Sequence, residues 1–221
     1  MNENSKLPKA YKTGLQNFYG RDFKVNQNVL IPRPETETII DLVLTLSGKP
    51  YLPGLKAGPR KLPEKPKIVD VGTGSGCIAI TLKLELPEAE ITATDISPEA
   101  LLVAKENAVK FGVPINYIIS HLLEKVNFTP DLVVANLPYV DRNWDWLDLE
   151  SLSFEPETAL FAADQGLALI KELLRAASSK KIPRLILEAD PSEHPAIIAY
   201  AKKYGYKMTS YAPFVLSGEL S

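Results

Sequence analysis

The sequence predicts an α/β protein built on a mostly parallel sheet with helices on both faces. Three observations point there. Past residue 66 the chain alternates short apolar runs with amphipathic stretches of helical period, the rhythm of strand-helix-strand units. A glycine-rich turn, Asp70-Val71-Gly72-Thr73-Gly74-Ser75-Gly76, follows the first of those runs and opens the first helix after it. The 221 residues are 45% hydrophobic and 24% charged, an ordinary globular balance with length enough for one sizeable core.

Taken in order, residues 1–17 show no sustained apolar period and predict no element. From Phe18 to Ile31, Phe23 and Val25 alternate toward Val29 and Ile31 across Asn26-Gln27-Asn28, which reads as a β-hairpin. Pro34 can start a helix, and Ile39, Ile40, Val43, Leu44 and Leu46 continue it to Ser47, with Gly48 at its end. Residues 48–66 hold Pro50, Pro53, Pro59, Pro63 and Pro66, a density that breaks helix and strand alike and marks an exposed connector. The main domain is then 67–221.

Within it, strands are expected at Lys67–Val71, Glu90–Asp95, Ile115–Ile119, Asp131–Ala135 and Arg184–Glu188, with two more near Tyr206–Tyr211 and Phe214–Leu216. Helices are expected at Ser75–Glu85, Pro98–Phe111, Leu167–Ser178 and Ser192–Tyr204. The second of these has the clearest punctuation: Ser97 as N-cap, Pro98 in the first turn, Leu101, Ala104 and Ala108 on one face, and Gly112 closing it.

Lys+Arg 25 against Asp+Glu 27 leaves a formal charge of −2, which gives no general footprint for non-specific nucleic-acid binding, although a local basic patch stays open. Cys77 is the only cysteine, and the polar opening Met1-Asn2-Glu3-Asn4-Ser5-Lys6 is unlike a secretory signal, so a reducing cytoplasm is the expected compartment. No apolar run approaches the roughly 18 residues of a membrane span, and a soluble protein is expected. His121 and His194 match no zinc-ligand spacing; an all-carboxylate metal site stays open.

The chemistry concentrates at two loops. Gly72, Gly74 and Gly76 at alternate positions let the backbone turn sharply and approach a ligand too closely for a Cβ. Asp95 ends the next strand, where a carboxylate suits the two hydroxyls of a ribose. The spacing is GxGxG, whereas a pyrophosphate grip needs its third glycine one position later, where Cys77 stands. A phosphate-free sulfonium nucleoside, S-adenosyl-L-methionine, therefore fits better than NAD.

Asn136-Leu137-Pro138-Tyr139 follows the strand ending at Ala135, at the carboxyl edge where open α/β sheets bind ligands. An amide or arylamine nitrogen is a poor nucleophile because its lone pair is delocalised, and its planar NH2 presents two hydrogens in one plane. The side-chain oxygen of Asn136 and the carbonyl of Leu137 can accept both, aligning the nitrogen with an activated methyl and favouring the positive charge that develops. Tyr139 would cover the planar group from one face. Asn136 and Tyr139 are thus the expected catalytic residues. No general base is needed before transfer.

These residues resemble the class I methyltransferases, with their Rossmann-like seven-stranded sheet. More narrowly, Leu30-Ile31-Pro32-Arg33-Pro34-Glu35-Thr36-Glu37, Asp70–Gly76, Asp95, Asn107-Ala108, Asn136–Tyr139 and Phe154-Glu155-Pro156 resemble the HemK/PrmC family of peptide chain release-factor glutamine methyltransferases in order and spacing. The resemblance implies methylation of the glutamine amide in the Gly-Gly-Gln loop of a release factor, with S-adenosyl-L-methionine as donor. It implies that Gly72, Thr73, Gly74, Ser75 and Gly76 hold the donor, that Asp95 takes its ribose, that Leu122 neighbours its adenine, and that Asn136, Leu137, Pro138 and Tyr139 bind the amide. Arg33 and Thr36 border the site or start the helix.

Departures from that family are Leu137 in place of the first proline of its Asn-Pro-Pro-Tyr motif, His121 in place of an acidic residue beside the adenine, Ala162–Gly166, and Asp190-Pro191-Ser192. The stretch before Phe18 is also too short for the family's helical N-terminal domain. Two other functions remain: an RNA or DNA adenine N6-methyltransferase, because Asn-Leu-Pro-Tyr also resembles a motif of enzymes acting on exocyclic NH2 groups, and a cofactor-binding scaffold without activity. Trp144 and Trp146 form either a protein-docking rim or ordinary loop anchors.

Overall fold

Residues 6–49, 61–145 and 147–221 are described in a computed structural model of the chain. A short helix α1 (Lys9–Thr13) leads into β1 (Leu15–Phe18) and β2 (Arg21–Lys24), and a 3-10 turn (Pro34–Thr36) leads into α2 (Glu37–Leu46). The main domain runs β3 (Lys67–Val71), α3 (Cys77–Glu85), β4 (Glu90–Asp95), α4 (Pro98–Phe111), β5 (Asn116–Ile119) and β6 (Leu132–Ala135). After the short α5 (Leu149–Leu152) and α6 (Glu157–Leu160) come α7 (Ala168–Ser179), β7 (Arg184–Glu188), α8 (His194–Lys202), β8 (Tyr206–Ala212) and β9 (Val215–Leu220). The core of the connector and Trp146 lie outside the described residues.

Seven strands make one sheet in the order β5-β4-β3-β6-β7-β9-β8, with β9 antiparallel to both its neighbours and the other pairings parallel. Side chains alternate across it as the period of two requires. Ile68, Leu132, Val134 and Ile186 join the apolar layer that includes α2 and α3. Val69, Val71, Val133, Ala135, Leu185 and Leu187 join the opposite layer with α7 and α8. Both faces are covered, which is why β6 and Leu185–Leu187 of β7 read as unbroken apolar runs.

The hairpin sits one turn earlier than the alternation predicts. Leu15 pairs with Lys24 and Phe18 with Arg21, and the turn is Tyr19 (φ 51°) and Gly20 (φ 72°). Two successive left-handed residues match the twist of the strands they join. Asn26–Asn28 is instead a local turn, in which the Asn28 N–H donates to Asn26 Oδ1 at 2.9 Å and the Val29 N–H to Asn26 O at 3.1 Å. Val25, Val29 and Ile31 are buried as their pattern suggests, but they pack against Ala100 and Val103 of α4 rather than pair as strands. Alternation reported burial, and burial does not require a ladder.

Other boundaries differ by a residue or two, and β9 continues to Leu220 instead of stopping at Leu216. The long helix behaves as its signals predict: Ser97 Oγ accepts the Ala100 N–H at 3.1 Å, and Gly112 closes the helix at φ 66°. Among the described residues, no helix is long and apolar enough to cross a membrane.

Candidate functional site

β3 and β6 are adjacent and parallel, with Val71 opposite Ala135, so the loops that follow them emerge side by side at the carboxyl edge. The sheet order reverses here: the chain leaves β3 toward β4 and later returns on its other side as β6, the crevice where open α/β sheets bind ligands. The loops are close enough that a Cβ on Gly72 would come within 3.0 Å of Leu137 Cδ2. Sequence reasoning places these two motifs together, and the structure does so.

The glycine loop is stitched to the end of β4. The Gly72 and Thr73 N–H groups both donate to Thr94 O at 2.9 Å, and the Gly74 N–H donates to Asp95 Oδ2 at 2.9 Å. The three glycines have different tasks. Gly76 (φ 80°) is packed against α4, where a Cβ would lie 3.1 Å from Ala104 Cβ, whereas a Cβ on Gly74 (φ 54°) would meet nothing within 4 Å. Gly72, Thr73, Gly74 and Ser75 line a cavity of about 560 Å³; Gly76 does not.

Two carboxylates support the loop. Asp70 is fully buried; its Oδ2 accepts the Thr73 hydroxyl at 2.6 Å and the Ala79 N–H at 3.2 Å, capping the first turn of α3 from the strand. Burial pushes its pKa up to about 7. Asp95 faces the cavity and accepts the Ser97 N–H through Oδ1 at 2.9 Å. Burial raises its pKa too, against the Ser97 and Gly74 N–H groups, which favour the charged form. The carboxylate remains able to accept from a ligand hydroxyl on its cavity side. Cys77 starts α3, with its thiol pushed by burial up to about 12, a buried residue at the cavity wall rather than a nucleophile.

Across the crevice, Asn136, Leu137 and Pro138 line the same cavity. Asn136 donates through Nδ2 to Thr36 Oγ1 at 3.0 Å. With the nitrogen of the planar amide committed, its oxygen is the end left for a ligand. Tyr139 is not in the cavity wall. Its ring packs into the layer with α7 and α8, and its hydroxyl donates to Glu188 Oε1 at 3.1 Å. Its hydroxyl thereby ties the motif to the end of β7.

The segment before α2 roofs the cavity with Leu30, Pro32 and Arg33, and Thr36 stands beneath. Glu155 holds this roof: its Oε2 accepts the Ile31 N–H at 2.9 Å and its Oε1 the Arg33 guanidinium at 2.5 Å. Arg33 is the only lysine or arginine lining the cavity among the described residues, and it is paired with Glu155. Leu122 (φ 45°) and His121 complete the far wall, with His121 Nε2 2.9 Å from Glu172 Oε1.

Sequence reasoning missed Glu188 and the bridging role of Asn107. Asn107 is fully buried; its Oδ1 accepts the Lys24 N–H at 2.7 Å, while Nδ2 donates to Lys24 O at 3.0 Å and Ser75 O at 2.9 Å. It ties β2 to the glycine loop. The available signal was a polar side chain at a core position of a helix; for Glu188 it was an acid closing an otherwise apolar strand.

This sheet order, with a glycine-lined cavity at its switch point, is the class I methyltransferase architecture. The methyltransferase small domain family matches residues 57–149. A solved structure of T. Thermophilus 16S rRNA N2 G1207 methyltransferase in complex with AdoMet and guanosine has the same fold, with a TM-score of 0.62 at 14% identity over 94% of this chain and 50% of that one. Among curated relatives, the release factor glutamine methyltransferase of Koribacter versatilis is 43% identical over 75% of this chain and 56% of its own length. That of Deinococcus radiodurans is 32% identical over 92% of this chain and 69% of its own length. The chain belongs to the release factor glutamine methyltransferase family. It spans about half the length of the curated relatives it matches first.

Proposed function

We propose that this chain transfers a methyl group from S-adenosyl-L-methionine to the side-chain amide nitrogen of the glutamine in the Gly-Gly-Gln loop of a peptide chain release factor. The observation that carries this reading is the orientation of Asn136: its nitrogen is held by Thr36, so an acceptor oxygen is available beside the glycine loop. A cavity of about 560 Å³ is the size expected of a site for a nucleoside-sized ligand. Its glycine cradle and the Asp95 carboxylate suit a nucleoside. Gly72, Thr73, Gly74 and Ser75 would hold the donor against backbone, Asp95 would accept from the ribose, and Leu122 would pack near the adenine.

When bound, S-adenosyl-L-methionine supplies an electrophilic methyl on a positively charged sulfur. The chain's own work is to orient the acceptor. Asn136 Oδ1 and the Leu137 carbonyl accept the two amide hydrogens, which holds the nitrogen in line and stabilises the charge that builds on it. Replacing the family's proline by Leu137 keeps that carbonyl. No base is required beforehand, because the nitrogen becomes acidic only as the methyl arrives. Gly76 and Tyr139 act one layer back, Gly76 by close helix packing and Tyr139 by anchoring the motif to Glu188.

The test uses radiolabelled S-adenosyl-L-methionine with a release factor, the same factor with its loop glutamine changed to alanine, and bulk ribosomal RNA. Label on the intact factor alone supports the reading. Label on RNA alone, or on both versions of the factor, overturns it.

A further inference from the structure

Glu188 is a buried carboxylate that the methyl-transfer chemistry leaves without a task. It closes β7 directly behind the Asn136–Tyr139 loop and is 1% exposed. Its Oε1 accepts the Tyr139 hydroxyl at 3.1 Å, and its Oε2 has no hydrogen-bond partner. Burial raises its pKa to about 7, and Thr36 opposes this more strongly than Tyr139 or Asn136 does.

An ionised carboxylate only accepts, so the hydrogens around it point one way. Tyr139 donates to it. Thr36 Oγ1 accepts from Asn136 Nδ2 at 3.0 Å, so its own hydroxyl hydrogen is free to point at the carboxylate, and the Asn136 amide itself also favours the charged form of Glu188. Turning the Asn136 amide over would set its oxygen against Thr36 and toward the carboxylate, acceptor facing acceptor. We propose that Glu188 is a positioning residue: acting through Thr36 and on the amide nitrogen itself, it fixes the Asn136 amide with its oxygen toward the cavity. The inference rests on the reading of Asn136 as the acceptor of a substrate NH2, and it adds the reason that oxygen is presented.

Polarity runs along the whole chain of bonds. A negative charge behind Thr36 strengthens each donor-acceptor step, so Asn136 Oδ1 becomes a better acceptor for the hydrogens of the incoming amide. A protonated Glu188 can donate as well as accept, and the Asn136 orientation is then released. The groups facing Glu188 are Glu35 from the 3-10 turn, which disfavours its charge, and Tyr139 from the loop after β6. Cys77, at the start of α3, feels its charge in turn, while Arg33 and Asp190 act on Tyr139.

The test is the side-chain amide ¹⁵N-¹H signal of Asn136, identified by its loss in Asn136→Ala and followed between about pH 5 and 9. No substrate is needed, so failure of the functional reading, judged by label transfer, is separate from failure here. The wild-type signal is expected to shift with a midpoint near the Glu188 value of about 7, to stay flat in Glu188→Gln, to shift less in Thr36→Val, and to titrate as in wild type in Thr36→Ser. In the labelling assay, Glu188→Gln is expected to lower kcat about tenfold with donor affinity within about threefold. A wild-type signal that does not move, or one that titrates unchanged in Thr36→Val, overturns the proposal. The Thr36 pair decides the matter even if Glu188→Gln fails to fold.

Discussion

The two halves of the site are built in opposite ways. On the donor side, contacts are close in sequence: Asp70 reaches Thr73 three residues on and Ala79 nine on, and Asp95 takes the Ser97 N–H two residues on and the Gly74 N–H 21 residues back. On the acceptor side, Asn136 meets Thr36 across 100 residues, Glu155 meets the Ile31 N–H across 124, and Tyr139 meets Glu188 across 49. Backbone shape makes the first half, and side chains brought together by the sheet make the second. The donor half is therefore sensitive to Cβ atoms, the acceptor half to hydrogen-bond polarity.

Asn136→Ala breaks the acceptor half alone. Turnover is expected to fall by about 10²–10³, the cost of removing one preorganised hydrogen-bonding group, with donor affinity by calorimetry changed less than about threefold. Asn107→Ala strikes a side chain that serves the donor half over long range. It leaves the Lys24 backbone and Ser75 O without their buried partner, and urea unfolding is expected to show a loss of about 2–3 kcal/mol.

Two glycine substitutions separate shape from contact within the donor half. Gly76→Ala is expected to cost about 1–3 kcal/mol of stability, because its Cβ meets α4 in a left-handed backbone. Gly74→Ala adds a Cβ in open space at the cavity wall and is expected to cost less stability but to weaken donor binding about tenfold or more. Equal effects of the two on stability and on binding would erase the distinction.

The smallest effect concerns pH. Folding raises the Glu188 pKa from 4.5 to about 7, so the folded chain holds a proton that the unfolded chain releases. Its contribution to stability is fully present below about pH 4.5 and is lost as pH rises toward 7. Glu188→Gln has no proton to lose there. Its stability relative to wild type is expected to improve by about 1–2 kcal/mol between pH 5 and 8, measured by urea unfolding at each pH.

Much of the donor half was legible in the sequence because its signals are local. The glycine spacing, the acid ending β4 and the Ser97 cap depend on residues a few positions apart. Asn136 was legible as an acceptor, but which end of its amide is free depends on Thr36, which no local pattern reveals. The position of Tyr139 beside the motif is local; its hydrogen bond to Glu188, 49 residues on, is not. Short helices such as Leu149–Leu152 contain too few turns to show a period. The hairpin shift has the same root: Tyr19-Gly20 forms a tight turn through backbone angles, while the more conspicuous apolar alternation downstream records burial against α4.

The most direct measurement is a structure of the chain with S-adenosylhomocysteine and a glutamine-containing loop peptide bound together. The account predicts ribose hydroxyls on Asp95 and the glutamine NH2 within hydrogen-bonding distance of both Asn136 Oδ1 and the Leu137 carbonyl. A nucleoside seated away from the glycine loop, or an Asn136 amide with its nitrogen facing the ligand, would contradict it.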